Sequence, residues 1–160
     1  MTSQLSLSSG ASMIGGAVNN IKNGYNTYFG LFTTNTGTND AETNFTKVTS
    51  IIPLNCIISN FYVSLSEPPL GVQPPGLLPQ IPPGVLVNAY TFTVRKNGVN
   101  TGLTVTISNN NTTGSITGVA SSILFVEGDS FAIVAEPLMP IGLRPTDNLN
   151  VRWSAKLTSA

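Results

Sequence analysis

The chain has 160 residues and a net charge of zero, with 41% hydrophobic and only 9% charged residues. Ordinary soluble proteins carry roughly 25% charge, so the polar surface here falls to Thr, Asn and Ser, which suits a protein that spends its life assembled. The absence of histidine and the scatter of the seven carboxylates argue against an enzyme, a metal or another cofactor, and seven Lys and Arg fall far short of the basic stripe that nucleic acid needs.

Residues 1–24 read as an N-terminal arm outside the folded body. Leu5 and Leu7 alternate with serines, while Gly10, Gly15 and Gly16 interrupt Met13, Ile14, Val18 and Ile21. Glycines at this density leave neither a strand nor a helix stable alone. Because disordered tails are poor in aliphatics, these six apolar side chains are expected to dock on a neighbouring subunit. No charged segment leads into an apolar run of signal-peptide type, and no run approaches the ~18 residues of a membrane helix. Neither general-pathway secretion nor a membrane partner is expected.

Residues 25–160 are predicted as one domain, a length at which a sandwich folds as a single unit. The body begins with 25–34, where Tyr28-Phe29-Gly30-Leu31-Phe32 reads as a first strand, then a polar loop runs from Asn35 to Asn44 whose Asp40 and Glu42 read as solvated rather than as calcium ligands. A second strand is read over 45–53. A third, over 54–66, puts Phe61, Val63 and Leu65 on one face and Asn60, Tyr62 and Ser64 on the other. The lone Cys56 reads as a buried thiol, and the sequons at Asn44 and Asn111 read as chance matches.

Residues 67–86 interrupt the pattern with seven prolines, 68, 69, 74, 75, 79, 82 and 83, among Leu70, Val72, Leu77, Leu78 and Ile81. Proline excludes a central strand, and so long a loop inside a domain is normally functional. Two placements are open: a lid on the sandwich end, or an interface loop against the next subunit through Leu70, Leu77, Leu78 and Ile81.

The regular part of the chain is residues 90–108. Tyr90, Phe92 and Val94 alternate with Thr91, Thr93 and Arg95; Asn97-Gly98 offers a type I′ turn; Leu103, Val105 and Ile107 alternate again. This is a complete hairpin with one apolar and one threonine face. Residues 115–126 read as one broken or two short strands around Gly118. Residues 130–136 are apolar on both faces, as in a strand covered on both sides. A second Pro-containing loop spans 137–148, and 149–157 closes the chain with Leu149, Val151, Trp153, Ala155 and Leu157 inward. The predicted fold is an all-β jelly-roll sandwich of about eight antiparallel strands.

The stretches Ser59 to Leu65, Tyr90 to Ser108, Val126-Glu127-Gly128-Asp129-Ser130-Phe131 and Val151-Arg152-Trp153-Ser154 resemble, in that order, a recurring jelly-roll module. It is similar to modules of bacterial spore-surface proteins, among them the tumour-necrosis-factor-like heads of exosporium proteins and endospore appendage subunits, and of phage virion structural proteins. The resemblance covers residues 50–157. It implies a non-enzymatic subunit that self-associates on the exterior of a spore or virion, with copies of itself, and an anchor or tip protein of the same particle, as partners. The chain departs from the module in having no collagen-like stalk and in its proline insertion, so linkage is expected head-to-tail through the N-terminal arm. The alternative is a carbohydrate- or receptor-binding jelly roll on a spore or phage tail fibre, with Trp153, Tyr62 or Tyr25 as the sugar platform.

Overall fold

In the computed structural model, residues 5–6, 11–31, 43–70, 88–138 and 145–160 are described. They form eleven strands: β1 (Leu5–Ser6), β2 (Ala11–Ile21), β3 (Thr27–Phe29), β4 (Ser50–Ile51), β5 (Cys56–Leu65), β6 (Ala89–Lys96), β7 (Val99–Ser108), β8 (Thr113–Ile116), β9 (Ile123–Phe125), β10 (Ser130–Leu138) and β11 (Leu149–Ser159). Sheet one runs β1-β2-β11-β5-β8, with β9 also on β5; sheet two runs β3-β10-β6-β7, with β4 also on β10. All pairings are antiparallel. β3 with β4, and β8 with β9, each share one strand position, so the order β2, β11, β5, β8/β9 faces β3/β4, β10, β6, β7. That is the jelly-roll arrangement, in which the eight positions alternate between sheets along the chain except at the β6–β7 hairpin.

The period-two pattern explains the core. Phe61, Val63, Val151, Trp153, Phe92, Val94, Leu103, Val105, Phe131 and Ile133 all point between the sheets and are buried. The ring centroids of Phe131 and Trp153 lie 5.8 Å apart, those of Phe125 and Phe131 5.9 Å, and those of Phe61 and Trp153 6.4 Å, spacings at which aromatic pairs attract. On β10, Ala132 and Val134 are buried as well, on the opposite face. There the guanidinium of Arg95 lies 5.6 Å from the Tyr28 ring centroid, so the strand is covered on both sides. Across the outward face of β6 and β7, Thr91 pairs with Thr106 and Thr93 with Thr104 through hydroxyl contacts of 3.0 and 3.1 Å.

Residues 11–21 correct the reading of an arm that ends at residue 24. They form an eleven-residue strand paired with β11 from Ile21 opposite Leu149 to Ala11 opposite Thr158. Val18 and Ile21 are fully buried in the sandwich's own core, and Ile14 packs against it. The glycines that look like interruptions are close-approach sites. A Cβ on Gly15 would lie 2.5 Å from the Trp153 carbonyl oxygen, and one on Gly16 would lie 3.1 Å from the indole Nε1. The Trp153 side chain fills the space that a residue at 16 would take.

Two other segments are shorter than their sequence pattern predicts. Within 45–53 a 3-10 turn, Phe45–Lys47, precedes the two-residue β4. The Asn44 side chain accepts from the Thr46 amide at 3.1 Å and from its hydroxyl at 2.7 Å, and such local bonds compete with a ladder. Of the first body strand, read over Tyr28 to Phe32, the described residues show a strand at Thr27–Phe29, and Phe32 lies outside them. That strand is followed by Gly30, where a Cβ would lie 2.0 Å from the Val48 carbonyl oxygen.

Candidate functional site

The arm residues divide. Met13 is exposed on the outer face of β2, Ile14 is half-buried, and Val18 and Ile21 belong to the core. Leu5 lies in β1, which is held to β2 by two residue pairs, Leu5 with Met13 and Ser6 with Ser12. Leu7 lies outside the described residues. Of the loop residues, Leu70 is buried and its amide donates to the Asn109 carbonyl at 3.0 Å. Leu70 is therefore a contact within the domain rather than a free interface side chain. Leu77, Leu78 and Ile81 lie outside the described residues, as do Asp40 and Glu42.

The start of the proline segment is tied to the other Pro-containing loop at one end of the sandwich. The Thr146 hydroxyl donates to the carbonyls of Pro68 and Pro69 at 2.9 and 3.1 Å, and the Thr146 carbonyl accepts from the Tyr90 hydroxyl at 2.8 Å. Burial, helped by the charge of Asp147, raises the Tyr90 pKa. Beside them the Asn23 amide donates to Asp147 at 3.1 Å, and Tyr25 is exposed.

The opposite end is organised by Asp129, which the sequence marks only as the end of a Glu-Gly-Asp turn. Gly128 has φ 91 and the Asp129 amide donates to the Val126 carbonyl at 3.0 Å. The carboxylate accepts from the Val126 amide at 2.7 Å and from Asn97 Nδ2 at 2.6 Å, and pairs with Lys96 Nζ at 2.9 Å. Asn97 Oδ1 in turn accepts from the Ser130 amide at 2.8 Å. Lys96 foremost, then the Val126 amide and Asn97, hold the Asp129 carboxyl at about 2, against its ordinary 3.8. A carboxyl lowered in the folded state stabilises it above the unfolded pKa, and that contribution disappears as pH falls through the folded value. The melting temperature is expected to fall between about pH 4 and about pH 2 more steeply in the wild type than in Asp129→Asn, which melts lower at neutral pH. Parallel slopes in a calorimetric pH series would show that Asp129 is not the linkage.

Around Asp129 the surface carries exposed aliphatic side chains among polar ones. Of the eight large hydrophobic residues exposed among the described ones, Ile51, Leu54, Val99, Leu124 and Val126 are here. Ile51 lies opposite Ser130 and Val99 opposite Lys96. The Leu124 carbonyl accepts from Lys96 Nζ at 2.8 Å, and Asn55, next to Leu54, accepts from the Glu127 amide at 2.9 Å. Val99 is 68% and Ile51 61% exposed.

The outward face of sheet one is different in character. Residues paired in register share a face, so Gly15, Ser154, Tyr62 and Ser115 form one row across β2, β11, β5 and β8. Arg152 and Lys156 stand two residues to either side of Ser154. A bulge at Asn60, whose φ is 51, adds a residue to β5 between the pairs Tyr62–Ser154 and Ser59–Lys156 and re-aims the strand at this point. The Tyr62 ring stands beside the small Ser154 and Ser115 of its row, shares one depression with Met13, Asn60 and Lys156, and borders an open one of about 590 Å³ with Ser115 and Arg152. Another, of about 270 Å³, lies over Gly15 and Ala17 on the other side of Arg152. Trp153 points the other way, into the core.

Among the described residues no three His, Cys, Asp or Glu side chains come together as a metal site. Cys56 is buried and unpaired, and burial raises its thiol pKa. Comparison of the chain with known protein families, curated proteins and solved structures finds no match.

Proposed function

We propose that this protein is a self-assembling structural subunit of an extracellular fibre or particle surface, of the spore or virion type, associating with copies of itself. The observation that carries the reading is the apolar end around Asp129, set on a chain with 9% charged residues and zero net charge. Five exposed aliphatic side chains on one rigid end are a liability for a free monomer and an asset for a contact. The strand β2 begins at this same end, since Ala11 pairs with Thr158 and Ser159 with Cys56, and the light attachment of β1 leaves residues 1–10 as the segment that links one subunit to the next. A contact between one end of a subunit and a different surface of the next propagates as a filament unless rotation closes it.

The test is the triple substitution Ile51→Thr, Val99→Thr and Leu124→Thr, all at exposed positions. If each side chain contributes about 1 kcal/mol to the contact, association weakens about a hundredfold while circular dichroism is unchanged. Light scattering and negative-stain microscopy read the outcome. A wild type that stays monomeric at high concentration, or a triple variant that assembles as well as the wild type, overturns the proposal.

A further inference from the structure

We propose that the outward face of sheet one binds an acidic saccharide, with the Tyr62 ring stacking on a sugar and Arg152 and Lys156 receiving carboxylates. This goes beyond self-assembly and uses the opposite kind of surface. Tyr62 is 47% exposed, an aromatic with an apolar body and a hydroxyl tip, and it stands alone in a row whose other members are Gly15, Ser154 and Ser115. A ring bordered by hydroxyls offers a flat apolar platform with donors and acceptors at its rim, which is the complement of a pyranose. The row crosses four strands, about 14 Å at the usual interstrand spacing, so it is long enough for a short oligosaccharide rather than a single sugar.

The charge sets the class. Two of the chain's seven cations flank this row, no Asp or Glu stands in the rows beside them, and neither cation has a carboxylate partner among the described residues. Two cations cannot hold a nucleic-acid backbone. A second copy set face to face here would oppose like charges, which disfavours an isologous contact. An oligosaccharide bearing carboxylates satisfies the ring, the hydroxyls and the cations together.

Titration calorimetry of the full chain with trigalacturonic acid, and with maltotriose as the neutral control, tests this. Trigalacturonic acid is expected to bind at least about tenfold more tightly than maltotriose, Tyr62→Ala to weaken it about tenfold, and Arg152→Gln with Lys156→Gln to remove the preference for the acid. Melting curves check that each variant folds. No heat with either saccharide, equal affinity for both, or undiminished binding by Tyr62→Ala each overturns the assignment. So does a Tyr62→Ala variant that loses assembly while the wild type binds neither saccharide, since the face is then a contact between copies.

Discussion

Substituting Asn97 with Ala and Gly98 with Val together is expected to lower stability by about 3–5 kcal/mol, combining positive-φ strain at two positions with the loss of the Asn97 side-chain hydrogen bonds to Asp129 and the Ser130 amide. Asn97 has φ 50 and Gly98 φ 77, the conformation a type I′ turn demands and a β-branched residue resists. The turn is also a joint. Asn97 donates to Asp129, accepts from the Ser130 amide, and its own amide donates to the Ser130 carbonyl at 3.0 Å, so it fastens the β6–β7 hairpin to the start of β10. Alanine at 97 leaves the Ser130 amide without its acceptor and Asp129 without one donor. Denaturant unfolding separates the parts: Gly98→Val alone shows the backbone strain, Asn97→Gly alone shows the lost side-chain bonds. A double variant within about 1 kcal/mol of the wild type, the usual size of a single net hydrogen bond, would mean that the turn does not hold the two ends together.

The hairpin was legible in the sequence because local chemistry and tertiary role agree there: alternation on both sides of Asn-Gly marks both strands and the turn, although the pairing slips by two residues between Thr93–Thr104 and Arg95–Asn100, which the pattern does not disclose. The same agreement marks β11, where Leu149, Val151, Trp153 and Ala155 are buried as the pattern requires. Residues 11–21 were not legible, because Gly15 and Gly16 look like breaks until the partner strand is known. Their meaning is non-local: they admit the Trp153 backbone and indole. Asparagine hides structure in the same way. Every non-glycine residue with positive φ among the described ones is an asparagine, at 20, 60, 97, 109 and 148, and only at 97 does a following glycine disclose the turn. The bulge at Asn60 that presents Tyr62 leaves in the sequence only a one-residue slip of alternation in 56–65. The apolar end could not be read as a patch because Ile51, Val99 and Leu124 are far apart in the chain, and pairing alone brings them together.

The largest expected effect concerns the N-terminus, where two truncations part the fold from the assembly. Removing residues 2–20 is expected to unfold the domain. Val18 has no solvent exposure and Ala11 almost none; losing them also uncovers Ile21, Leu149 and Trp153 and leaves the ladder of β11 from Val151 to Thr158 unpaired on one side. A fully buried aliphatic side chain contributes about 1.5–3 kcal/mol, and the exposed ladder and aromatic surface add to it, so the loss is comparable to the about 5–15 kcal/mol that holds a whole domain. Of the described structure, removing residues 2–10 takes away only β1, with its two residue pairs, and is expected to leave melting within a few degrees of the wild type while abolishing filaments. Circular dichroism beside size-exclusion chromatography reads both. A folded, soluble 2–20 deletion would mean that β2 is not needed by its own domain, as in a strand supplied to a neighbour. A 2–10 deletion that still assembles would leave the apolar end around Asp129 as the whole of the contact, and the linking role of the N-terminal segment would be wrong.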